Sequence, residues 1–145
     1  MFNKRLNVLM LILLLVLVGC NESEQGSEKI LSSEETVEEY FKYWVAKDNE
    51  MMNSFVTDGK KDVIYELDRM TSLTLDNVSA GDDRCNWNDA WYDNPYEHTC
   101  LNVTFTVKYK DGHGAGFSNG TYKWQYYLVK ASEDSDWLIV MWGVG

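Results

Sequence analysis

The chain of 145 residues is short of several things, and each shortage excludes something. It has one proline, Pro95, and three cysteines, none of them in a Cys-x-x-Cys pair. Its two histidines, His98 and His113, stand 15 residues apart with no partner at metal-ligand spacing, so no structural zinc is expected and no metal residue is assigned. No cofactor motif is present either. Basic charge is scarce: 13 Lys and Arg stand against 23 Asp and Glu. That balance argues against nucleic acid and against attraction to anionic lipid or wall polymer. The longest apolar run, Leu6 to Val18, has 13 residues including Asn7. A helix needs ~20 to span a bilayer. No internal repeat is visible.

That short run has a setting of its own. Lys4 and Arg5 precede it and Leu17-Val18-Gly19-Cys20 closes it, the order of an export signal. The ending resembles the lipobox of bacterial lipoproteins, in which the cysteine thiol receives a diacylglycerol and becomes the new N-terminus. The resemblance implies a signal peptide over residues 1–19, a lipid anchor at Cys20, and a mature chain held at the outer face of the cytoplasmic membrane of a Gram-positive cell. Residues 1–19 take only Lys4 and Arg5 with them, so 11 basic and 23 acidic residues remain, net −12. The membrane link then rests on acyl chains at ~0.8 kcal/mol per buried methylene. Residues 20–32, polar and acidic, read as a flexible tether.

A single domain over residues 33–145 follows, large enough for one core. Ser32 and Glu35 have the spacing of a capping box. Val37, Tyr40, Phe41, Trp44 and Val45 then recur at helical spacing to about Lys47. Met51, Met52 and Phe55 predict a short second helix ending near Thr57-Asp58-Gly59, and Val63, Ile64 and Leu67 a third reaching Arg69. From Thr71 the period changes to two. Leu73, Leu75 and Val78 predict a strand, and Leu101 to Lys110 alternates strictly. A Gly-rich connector leads to another alternating strand around Tyr122 to Leu128. Trp137 to Val144 is almost continuously apolar, as in a strand that is central or covered on both faces.

Gly81 to Thr99 lacks periodicity. It carries Asp82, Asp83, Asp89, Asp93 and Glu97 among Trp87, Trp91, Tyr92 and Tyr96. Cys85 and Cys100 are the two cysteines left in the mature chain, and a disulfide between them would pin this loop. Carboxylates beside flat rings could grip a sugar or a cation; alternatively the loop is a flap closing the domain's mouth with its rings inward. The Asp spacing does not follow a calcium-loop order. Gly112-His113-Gly114-Ala115-Gly116 opens no helix and lacks the Lys-Ser/Thr of a phosphate loop, so it reads as a hairpin connector.

Helices followed by an antiparallel meander imply an α+β layer, with N-terminal helices packed across a curved sheet. Three phrases carry a family likeness: Glu38 to Trp44, Gly120 to Val129, and Trp137 to Val144. They resemble a group of firmicute lipoproteins in the nuclear-transport-factor-2-like (SnoaL-like) superfamily. The resemblance implies a cone of bent sheet and three helices, a pocket at its open end, and pairing of two copies through the sheet. This sequence shows no short strand between the second and third helices, where that fold has one.

Enzymes of that superfamily that move protons use an inward Asp or Glu. Here no carboxylate lies between Leu101 and Lys110 or between Thr121 and Ala131, leaving Glu66 and Asp68 as the candidates on the third helix. No catalytic residue is assigned. Tyr40 and Trp44 share one helix face, Trp124 is on the ring-bearing side of its strand, and Trp91 is in the long loop. If these four converge, they line an apolar ligand pocket without a base. The alternative is a solid aromatic core. Two functions stay open: a membrane-anchored binding module for a small ligand or envelope protein, and an isomerase- or dehydratase-like pocket enzyme.

Overall fold

The computed structural model describes residues 29–63 and 65–144. The export signal, Cys20 and most of the tether lie outside the described residues. None of the described helices is long and apolar enough to cross a membrane.

Helix α1 spans Ser33–Ala46. Its start is the expected capping box: Glu35 N–H donates to Ser32 Oγ (3.1 Å) and Ser32 N–H donates to Glu35 Oε2 (2.8 Å). These bonds satisfy donors that a helix start leaves open. Lys47 ends the helix in the left-handed region, φ 60°, and its ammonium reaches Met70 O at 2.7 Å. Helix α2, Asn49–Ser54, is shorter than its apolar residues predict and is capped by Asp48. Phe55 closes the helix at φ −97°, ψ 0°, and Val56 and Thr57 carry the chain on to the sheet. Val56 makes a parallel bridge to Ile139, with Thr57 N–H to Ile139 O at 3.0 Å and Ile139 N–H to Phe55 O at 2.8 Å.

The expected third helix is absent among the described residues. Of the described residues, 61–62 and 67–69 form turns, with Asp62 (φ 60°) and Glu66 (φ 48°) in the left-handed region. A non-glycine residue there costs energy, and something must hold it. The holding bonds are tertiary. Tyr65 OH meets Tyr40 OH at 2.8 Å, Tyr109 OH donates to Tyr65 O at 3.0 Å, and Glu66 Oε2 accepts from Ala115 N–H at 2.7 Å. Glu66 and Asp68 are therefore not on a helix. Asp68 is exposed, and Glu66 also pairs with Arg69 at 2.9 Å.

Four antiparallel strands make the sheet: β1 Met70–Ala80, β2 Glu97–Tyr109, β5 Gly120–Lys130 and β6 Leu138–Gly143, in the order β1-β2-β5-β6. Two-residue strands β3, His113–Gly114, and β4, Phe117–Ser118, pair as a small hairpin in the Gly-rich connector. In β1 the extra residue Asp76 shifts the register between Leu75 and Asn77. That bulge keeps Leu73, Leu75 and Val78 opposite Val107, Phe105 and Val103, although the spacing of the three is not a constant two. β6 is an edge strand, not a central one. Its free edge meets Val56, and its two faces contribute to different clusters, Ile139 and Trp142 to one, Val140 and Met141 to the other.

Helix α1 lies across the sheet and buries Val37, Tyr40, Phe41 and Trp44 against Leu101, Val103, Phe105, Tyr126 and Leu128. Burying one such side chain contributes about 1.5–3 kcal/mol, so this face is the main attachment of helix to sheet.

Candidate functional site

The rings expected to line a pocket form a packed core. Tyr40 and Trp44 are 1% and 0% exposed, with ring centroids 6.1 Å apart. Trp44 lies 5.7 Å from Phe105 and 6.2 Å from Phe117. Trp124, half-buried, stacks on Phe117 at 5.1 Å and meets Phe105 edge-on at 5.5 Å. Tyr40, Trp44 and Trp124 thus belong to one cluster through shared neighbours. Beside Tyr40 and Tyr65 the described residues leave a recess of about 10 Å³, room for one water.

This core is rich in hydroxyls. Tyr40, Tyr65 and Tyr126 are all buried, and burial pushes each phenol well above its ordinary pKa. Tyr126 OH and Trp44 Nε1 have no hydrogen-bond partner among the described residues. The buried polar residues described are Thr36 and Gln125; none of the described carboxylates is buried.

Trp91 is not with the other three. Loop 81–96 folds over the opposite face of the sheet, where Trp91 meets Tyr127 edge-on at 4.6 Å and Trp87 stacks on His98 at 4.4 Å. The Cys85–Cys100 disulfide fastens the loop there. Gly81 donates its N–H to Cys100 O at 2.8 Å, and a Cβ at this position would meet both Cys85 Sγ and Cys100 O, so the approach requires glycine. Asp82 accepts from Arg84 and from Asn102, and those hydrogen bonds, Arg84's foremost, hold its carboxyl down at about 2. The loop is therefore not a flap over the helix-side mouth. Its position was foreshadowed by parity: Cys100 alternates out of phase with Leu101, Val103 and Phe105, so its partner must come to the other face.

With the interior filled, the largest described concavity is a surface groove of about 650 Å³. Its sides are residues 29–31, helices α1 and α2, and the turn before β6. Tyr43 and Phe55 stack along it, 5.7 Å apart at 25°, with Trp137 beyond. Glu39, Asp134 and Asp136 stand among its lining residues. Met51 and Ile30, 37% and 41% exposed, add apolar surface. The volume is within the ~300–1,000 Å³ of small-molecule and peptide-side-chain sites. Helical spacing missed Tyr43 because it stands beside the stripe of Val37, Tyr40, Phe41 and Trp44; an aromatic off the buried stripe was the available signal. A second concavity, about 320 Å³, lies by the disulfide with Trp87, His98 and Tyr127 among its walls. Among the described residues no three His, Cys, Asp or Glu side chains are grouped to hold a metal.

Fold and groove together define a small α+β module whose chief concavity is on its surface. The family described as "Domain of unknown function (DUF4829)" matches residues 34–143, and the chain belongs to it. No curated protein and no solved structure matches the chain.

Proposed function

We propose that this chain is a lipid-anchored extracytoplasmic binding module that engages its partner through the surface groove, not through an interior pocket. The observation that carries the reading is the contrast between a packed ring cluster, with recesses of only about 10 Å³ beside Tyr40 and about 180 Å³ beside Trp124, and an open aromatic groove of about 650 Å³. The absence of a buried carboxylate among the described residues favours binding over proton transfer, since a general base needs burial to tune its pKa and reach a substrate. The lipobox-like Leu17 to Cys20 supports the anchor.

A nuclear-transport-factor-2-like cone is the finer fold reading. Helices before a four-strand meander support it, and the Val56–Ile139 bridge stands where that fold has its short extra strand. The turns at 61–62 and 67–69 depart from it. Pairing of two copies through the sheet has only one end of the outer face to use, around Thr104, Thr106 and Thr121, because loop 81–96 occupies the other.

Two measurements test the reading. Cys20→Ala is expected to lose lipid labelling and to leave precursor or released protein; unchanged labelling removes the anchor. The neutral apolar dye Nile red is expected to bind the full mature chain. Tyr43→Ala and Met51→Asp should weaken that binding several-fold, and Trp124→Phe should leave it unchanged. Dye binding indifferent to both groove variants, or lost in Trp124→Phe with the near-UV spectrum intact, returns the site to the interior.

A further inference from the structure

We infer that the groove receives a basic, apolar peptide segment of a partner protein, its Lys or Arg seated between ring faces and carboxylates. The inference rests on the groove being the binding surface and adds the chemistry of what enters it. Two of the rings that line the groove already face an ammonium of this chain. Lys42 Nζ lies 5.4 Å from the Tyr43 ring centre and 2.7 Å from Glu39 Oε2, and Lys130 Nζ lies 5.9 Å from the Trp137 ring centre. Cation–ring attraction of this kind is weak at exposed sites. The Lys42 side chain is 62% exposed, so the pair is weak and gives way to an incoming cation at little cost.

Asp134 and Asp136 are exposed and enter none of the ion pairs found among the described residues. They add negative charge to a groove whose one described lining cation, Lys29, is already bonded to Glu35 at 2.6 Å. Charge also decides between occupants. The preceding segment 21–28 carries Glu22, Glu24 and Glu28 and no basic residue, so it does not itself offer the cation that the groove would take. An anionic lipid surface is repelled, whereas a net charge of −12 on residues 20–145 steers basic partners inward. Exposed Ile30 and Met51 extend the apolar surface past what a lone ammonium would cover, which favours a peptide with apolar neighbours over a small cation.

The test titrates the full mature chain with acetyl-Lys-Phe-Leu-Lys-amide and with its acidic counterpart acetyl-Glu-Phe-Leu-Glu-amide, followed by calorimetry and amide chemical shifts. The basic peptide should bind, move resonances of Tyr43, Phe55 and Trp137, and weaken as salt rises. The double variant Asp134→Asn with Asp136→Asn should weaken it about fivefold, the product of two exposed charge contacts of up to ~0.5 kcal/mol each. Both residues are exposed, so the fold is expected to be kept, and circular dichroism checks that. Equal binding of the two peptides, no binding of the basic one, or shifts confined to other surfaces overturns the inference. Nile red separates the two levels: if it still binds in a Tyr43-dependent way, only the charge assignment falls, and if it does not, the groove reading falls too.

Discussion

Two buried phenols in one core are predicted to answer the same substitution in opposite ways. Tyr65 OH is the partner of Tyr40 OH at 2.8 Å, in a site where Tyr40 is 1% exposed. Tyr65→Phe leaves that hydroxyl buried and unpaired, which costs about 1–3 kcal/mol. Tyr126 OH has no partner among the described residues, although its side chain is 0% exposed. Tyr126→Phe removes a polar group already carrying its desolvation penalty, so it should be neutral or stabilising. Urea unfolding of the two variants checks the pair, and equal losses would contradict it. At this scale the sequence is nearly silent: both tyrosines are large and partly apolar. What separates them is a partner 25 residues away in the chain, supplied by the turn that replaced the third helix.

At the scale of elements, the disulfide decides where the long loop goes. It closes a loop of sequence separation 15, for which the chain-entropy model gives about 3 kcal/mol of stabilisation. Replacing Cys85 and Cys100 by Ser should lower stability by roughly that amount. Trp87 and Trp91 should loosen from His98 and Tyr127, seen as a change in tryptophan emission on mild reduction of the native chain. Emission and unfolding midpoint both unchanged would mean that the ring contacts alone hold the loop. Strand β2 was legible residue by residue, because Leu101, Val103, Phe105, Val107 and Tyr109 all face the helices. Residues 63–69 were not, since Val63, Ile64 and Leu67 fit a helical period that the pairings of Tyr65 and Glu66 override.

For the molecule as a whole, the buried phenols set an alkaline limit. Burial raises Tyr40, Tyr65 and Tyr126 in the folded state, so the folded chain favours their neutral forms. Free tyrosine ionises near pH ~10. Stability from these groups is therefore fully present below pH ~10 and is lost as pH rises above it, because the unfolded chain releases their protons first. A tyrosinate absorbance titration run beside far-UV circular dichroism tests this. The phenols of Tyr40, Tyr65 and Tyr126 should ionise only as the dichroism is lost. Full tyrosinate absorbance reached with the dichroism intact would show that the core is open to water.

By itself the sequence determined the elements whose cause is local: the capping box at Ser32 and Glu35, the aromatic stripe of α1, the strict alternation of β2 and the turns after Tyr109. It also determined the pairing of Cys85 with Cys100 once Cys20 is set aside, and the acidity that limits what can bind. The tertiary structure decided everything that depends on distant partners. It turned Tyr40, Trp44 and Trp124 into solid core, because Phe105 and Phe117 arrive from other strands to fill the space between them. It sent Trp91 to the far face through the disulfide. It also set Tyr43, Phe55 and Trp137, from three separate elements, along one groove. Periodicity reports which face of an element is apolar, but only packing decides whether facing rings meet or leave room between them.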